Sequence, residues 1–186
     1  MKLNINKDSI LVVDLDQTLI FTNEANLLSY AEAIENILGI DFATLSFYAL
    51  NGRFTFDSIK EILPNIQKDE LELIKAEKIK NYKKYLKNTQ INEDIIKCVL
   101  KFYNKNTIIL LTNASRCRIR MLLKFYNLDF FSHIFFNKKG NKYRNLIEFF
   151  KLDAEKLIIF EDDKNEIKNA LSVGILKENI MEISNE

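Results

Sequence analysis

Residues 10–20 read Ile10-Leu11-Val12-Val13-Asp14-Leu15-Asp16-Gln17-Thr18-Leu19-Ile20. Four apolar residues run into a carboxylate, and a second carboxylate follows two positions on. A short β-branched run bounded by polar residues predicts a buried strand. Its near-continuous apolar character suits a parallel sheet, whose strands are covered on both faces. Asp14 then falls at the carboxyl end of the strand, where ligands bind in open α/β sheets. In an extended segment, acids two apart point to the same side. Like charges that close are costly unless a cation or a proton comes between them. Asp14 and Asp16 therefore read as half of a metal or proton-transfer site. The competing reading is a strand followed by an acidic turn, with Asp16 bonded to its own backbone.

The same signal returns late in the chain. Thr107 to Leu111 predicts a second buried strand ending in Thr112-Asn113, and Leu157 to Phe160 a further one ending in Glu161-Asp162-Asp163. Ile134-Phe135-Phe136 predicts a short strand, and Ile175-Leu176 a last one. Helices are expected over 116–127, from Lys142, and over 165–173 with Gly174 as the stop. This alternation implies parallel βαβ units. Residues 22–105 look different: apolar positions recur at helical spacing, as at Leu27, Ala31, Ile34 and Leu38. One amphipathic helix is expected over 67–87. The fold class expected is thus α/β, with a Rossmann-like parallel sheet core of residues 1–21 and 106–186. An all-helical insertion of residues 22–105 follows the first acidic strand end.

Composition narrows the function classes. The 27 Lys and Arg nearly cancel the 26 Asp and Glu, leaving a net charge of +1. That gives no reason to expect nucleic acid or an anionic membrane as partner. The basic run Lys78 to Lys87 reads as a solvated helix face balanced by Glu70, Glu72 and Glu77. Two Cys do not build a disulfide scaffold, so a cytoplasmic location is expected. The first residues lack the apolar core of a signal peptide, and no window reaches the length of a membrane span. Oligomeric state is not legible.

The strand ends assemble a constellation. In a doubly wound sheet, Asp14, Asp16, Thr112, Glu161 and Asp162 line one crevice. Carboxylates from separate strands beside a small hydroxyl suit a hard divalent cation such as Mg²⁺, which also takes phosphate oxygens. Lys142, at a helix start, can supply a compensating charge. Taken singly, Thr112 reads as a helix cap and Lys142 as a surface lysine. His133, beside a strand, reads as structural.

This order resembles the haloacid dehalogenase superfamily of phosphohydrolases. Its first motif, Asp-x-Asp-x-Thr after an apolar strand, is matched by Asp14 to Thr18. Its second, a strand ending in Thr or Ser, is matched by Thr112. Its lone Lys fits Lys142, with Lys138 and Lys139 as alternatives, and its acidic pair is matched at Glu161-Asp162-Asp163. A common form of that last motif carries a further Asp where this chain has Glu166, whose role stays open. The helical insertion looks like that superfamily's cap. The resemblance implies a Mg²⁺-dependent phosphatase of small phosphorylated metabolites. Asp14 would be the nucleophile and Asp16 the acid and base. Thr112, Asn113 and Lys142 would bind the phosphoryl group. Asp14, Asp16 through its carbonyl, and Asp162 would hold the metal, with Glu161 or Asp163 near it. A phosphomutase, or a phosphate-binding protein without turnover, are the alternatives. Arg53, in the turn-like Asn51-Gly52-Arg53 flanked by Phe47, Tyr48, Phe54 and Phe56, is the candidate specificity residue.

Overall fold

The computed structural model describes residues 3–41 and 54–184. They divide into two units, residues 1–21 with 91–186 and residues 22–90.

The first unit is built on a five-stranded sheet. Its strands are β1 (Ile10–Asp14), β4 (Thr107–Thr112), β5 (His133–Phe136), β6 (Leu157–Glu161) and β7 (Ile180–Glu182), in the order β5-β4-β1-β6-β7. All four pairings are parallel. This is the α/β core that the strand–helix alternation predicts. The first strand lies in the middle. Later strands go first to one side of it and then to the other, so the chain reverses direction between β1 and β6. Such a reversal opens a crevice at the carboxyl ends of the two strands. Asp14, Glu161 and Asp162 end up there because Val13 sits beside Phe160 in the register.

The core follows from strand alternation. Val12, Ile109, Leu111, Leu157 and Ile159 face one side of the sheet. They pack with Tyr143 and Leu146 of α6 (Lys142–Phe150) and Ala170 of α7 (Lys164–Leu171). Leu11, Val13, Ile108, Leu110, Ile158 and Phe160 alternate with them and are equally buried, so the sheet is covered on both faces. Helix α4 (Glu93–Leu100) starts at Asn92, whose side chain accepts from the Ile95 N–H, and α5 (Arg116–Phe125) is capped likewise by Ser115.

Three details differ from the sequence expectation. The last strand is Ile180–Glu182 and not Ile175–Leu176. Gly174 turns the chain with φ 91°, and Ile175 is buried in the core as part of a connection. The expected helix over 67–87 ends at Asn81, and a 3₁₀ helix, Tyr82–Asn88, follows. A short two-stranded sheet also forms, from β2 (Ile20–Phe21) and β3 (Gln90–Ile91), too brief to leave a periodic signal.

The second unit is helical in its described residues: α1 (Asn23–Leu38), α2 (Phe56–Ile62), α3 (Lys68–Asn81) and the 3₁₀ helix. Ala33, Ile34, Phe54, Ile59, Leu71 and Ile74 form its core. Gly39 stops α1 in the left-handed conformation. Much of the basic run is paired within this unit: Lys80 with Glu77, Lys84 with Glu32, and Lys78 with the Asn26 side-chain oxygen Oδ1. Among the described residues no helix is long and apolar enough to cross a membrane.

The sheet core sets a stability prediction. Ile159→Ala removes a fully buried side chain from the middle of β6. The expected cost is about 2–5 kcal/mol in urea unfolding. Phe149→Ser, at a position 71% exposed, should change stability by no more than about 0.5 kcal/mol. Equal effects would contradict this placement of the core.

Candidate active site

The site forms where β1 and β6 end. Asp14 is the last residue of β1, and Glu161 the last of β6. Lys142 reaches them from the first turn of α6. Asn141 starts that helix: its side-chain oxygen accepts from the N–H groups of Tyr143 and Arg144. The next two side chains, Lys142 and Tyr143, then turn in towards the sheet and are almost fully buried. A cation in a first helical turn is disfavoured by the helix dipole. Two carboxylates compensate. The Lys142 ammonium donates to Asp14 Oδ1 at 2.6 Å and lies 2.7 Å from Glu161 Oε2. Burial alone would lower its pKa. Asp14 and then Glu161 more than reverse that and hold Lys142 above the ordinary lysine value.

Asp14 itself is pushed well above the usual carboxylate range. Burial is the main cause; Lys142 opposes it, and Glu161 and Asp16 add to the rise. Glu161 also accepts from the Tyr143 hydroxyl at 2.6 Å and from the Asp163 N–H at 3.1 Å. Burial first, and Glu161 second, push the Tyr143 phenol well up, so it remains a donor.

Asp16 lies in a tight turn after β1. Gln17 adopts φ 66°, a conformation that costs a non-glycine residue about 1 kcal/mol or more. Gln17 N–H bonds the Ile20 carbonyl at 2.8 Å, and the Leu19 and Ile20 N–H groups bond the Leu15 carbonyl. The Asp16 carboxylate is buried in an ion pair with the Arg118 guanidinium of α5. Thr18, fully buried, donates to Asp162 Oδ1 at 3.1 Å and so ties the turn to the end of β6.

Asp14, Glu161 and Asp162 each bring one carboxylate oxygen to within 4.8 Å of the others. Three converging hard oxygens suit a hard divalent cation.

The remaining sequence candidates fall as follows. Thr112 is buried at the end of β4, and its hydroxyl oxygen accepts from the Ala114 N–H at 3.0 Å. Asn113, exposed, bonds Glu166 Oε1 at 3.1 Å and accepts from Asn137 at 2.8 Å. Asp163 caps α7 through Oδ1. Lys138 and Lys139 are exposed, so of the three lysines weighed it is Lys142 that meets Asp14. His133 is exposed on β5 with its ring 5.0 Å from that of Phe150. Arg53, with Phe47, Tyr48, Asn51 and Gly52, lies outside the described residues.

Three contacts were not foreseen in the sequence: Arg118 on Asp16, Tyr143 on Glu161, and Thr18 on Asp162. A signal for Arg118 exists. It precedes Leu122 by four residues and so shares the inward face of its helix. Tyr143 likewise shares a face with Leu146 and Ile147.

The sequence matches the family model for haloacid dehalogenase-like hydrolases over residues 11–177. No curated protein matches it. Several solved structures share the fold. A candidate phosphatase from Clostridium difficile is 21% identical, with 94% of this chain and 84% of that one covered and a TM-score of 0.70. A candidate β-phosphoglucomutase from Thermotoga maritima is 20% identical, covering 96% and 86%, with a TM-score of 0.73. CbbY from Rhodobacter sphaeroides, in complex with phosphate, is 15% identical, covering 90% and 83%, with a TM-score of 0.72.

The buried lysine sets a prediction. Lys142→Met leaves Asp14 and Glu161 buried without their cation. In buffer free of divalent metal this should cost about 3–5 kcal/mol. Adding Glu161→Gln to the same chain should recover part of the loss, as a double-mutant cycle in urea would show. A single-variant cost below about 1 kcal/mol would contradict the bridge.

Proposed function

Because the chain belongs to the haloacid dehalogenase-like hydrolase family, we propose that it is a phosphatase. It hydrolyses a small phosphorylated metabolite through an aspartyl-phosphate on Asp14. The observation that carries this reading is the buried Lys142 ammonium, 2.6 Å from Asp14 at the crevice between β1 and β6. A cation there favours the charged carboxylate that a nucleophile requires, and it attracts the phosphoryl oxygens.

Mg²⁺ would be held by Asp14, Asp162 and the Asp16 carbonyl, with Glu161 beside them. When bound, it lowers the repulsion between an anionic nucleophile and an anionic phosphate. The chain's own groups do the rest. An Asp14 carboxylate oxygen forms a bond to phosphorus as the bond to the leaving oxygen breaks. Asp16 would enter the cycle protonated, its ion pair with Arg118 opened, and donate the proton that the leaving oxygen takes up. Water then attacks phosphorus and loses its proton to Asp16. The bond to Asp14 breaks, and inorganic phosphate is released with Asp14 regenerated. Thr112 and the Asn113 N–H would bind the transferring oxygens, and Lys142 would neutralise charge developing on them. Two free thiols, Cys98 half-buried and Cys117 exposed, suit a reducing cytoplasm.

A phosphomutase would use the same groups, and the likeness to the Thermotoga protein keeps that reading in view. Phosphate release from a hexose 1-phosphate distinguishes them, because a mutase returns the phosphoryl group to the sugar. A binding protein without turnover is disfavoured by the full set of acids. The helical unit would choose among leaving groups, since the phosphoryl-binding groups see only the phosphate.

Asp14→Asn is expected to cut turnover of p-nitrophenyl phosphate by at least about a thousandfold while the fold is kept. Asp16→Asn should slow it by about a hundredfold or more. Chelation of divalent metal should abolish activity, and added Mg²⁺ should restore it. Near-normal rates in the Asp14 variant would overturn the assignment. Arg53→Ala is expected to raise KM for a substrate carrying a second anionic group and to leave p-nitrophenyl phosphate unaffected. A parallel response of both substrates would remove Arg53 from the specificity residues.

A further inference from the structure

We propose that Tyr143 sets the metal preference of the site: its hydroxyl restricts Glu161 to one oxygen for a cation, which favours Mg²⁺ over Ca²⁺. The inference rests on the metal reading given above, with one oxygen of Glu161, which converges with Asp14 and Asp162, added to the ligands.

The argument is a count of lone pairs. A carboxylate offers about four acceptor positions, two on each oxygen. Glu161 is 1% exposed, so water does not compete for them. Oε2 accepts the Tyr143 hydroxyl at 2.6 Å and meets the Lys142 ammonium at 2.7 Å, which fills both of its positions. Oε1 accepts the Asp163 N–H at 3.1 Å and keeps one position. Glu161 can therefore give one oxygen to a cation, and a two-oxygen grip is closed to it. Mg²⁺ requires a tight octahedron and is served by single oxygens. Ca²⁺ takes six to eight oxygens and gains from carboxylates that give both.

Tyr143 is well placed to enforce this. Its side chain is buried in the core cluster that includes Val12, Ile159 and Leu146, and its N–H is held by Asn141 Oδ1 at 3.0 Å. The hydroxyl cannot swing away without opening the core. Lys142 alone would leave Oε2 one free position. The phenol therefore decides whether the second oxygen is available. Hydrogen bonds of this kind to a metal-binding carboxylate orient it and tune its affinity.

The test is calorimetric titration of the full chain with Mg²⁺ and with Ca²⁺, for wild type and Tyr143→Phe. The ring is kept and only the hydroxyl is lost. The ratio of the Ca²⁺ to the Mg²⁺ dissociation constant should fall by about tenfold or more in the variant. Tyr143→Met removes the same hydroxyl behind a flexible side chain and should give the same fall. A purely structural role would weaken both metals alike and leave the ratio where it was. A ratio within about twofold of wild type in both variants overturns the role of Tyr143 and leaves the metal reading intact. A wild-type chain that binds neither metal overturns that reading itself.

Discussion

The ammonium of Lys142, buried between Asp14 and Glu161, is the constraint on which the rest depends. Each of those carboxylates ends a different strand. They meet one cation only if β1 and β6 are neighbours, parallel, and in the register that sets Val13 beside Phe160. The cation arrives only if α6 begins at Lys142, which Asn141 enforces by capping. A buried charge without its partner is expensive, and a shift in register or helix start would strand one. The central position of β1 and the reversal of direction between β1 and β6 thus serve the same end as the chemistry.

The polar contacts around this bridge form a connected set. Thr18 joins the turn after β1 to Asp162, Tyr143 joins α6 to Glu161, and Arg118 joins α5 to Asp16. Asp14, Glu161 and Asp162 converge at its centre. Converging acids of that kind are costly to stability unless a cation or a proton comes between them. The left-handed Gln17 fits the same picture, since backbone strain collects where a turn must aim side chains at a site.

The sheet was legible because its three central strands, β4, β1 and β6, are short apolar runs that end in acids or in Thr, and the parallel order follows from the intervening helices. Asp14 and Asp162 were conspicuous for the same reason. The final strand was not, because Ile175-Leu176 and Ile180-Met181 carry equal apolar signals. Only pairing with β6, a contact remote in sequence, favours the second. Arg118 and Tyr143 were hidden because helical periodicity directs attention to apolar positions, whereas each of these presents a polar end to a buried acid. The break at Asn81 was invisible because the 3₁₀ helix continues the same spacing of Tyr82 and Leu86 for one more turn. Arg53 is legible only as a turn-like signal in sequence and lies outside the described residues.

Covalent trapping at Asp14 tests the central claim most directly. The protein would be quenched in acid during turnover of p-nitrophenyl phosphate in the presence of Mg²⁺, and then reduced with borohydride. An acyl phosphate on Asp14 is converted to homoserine by that treatment. Peptide mass spectrometry should find homoserine at position 14, and at no other acid, only when substrate and metal are both present. Steady release of phosphate with an unmodified Asp14, or with the label on another residue, would contradict the account.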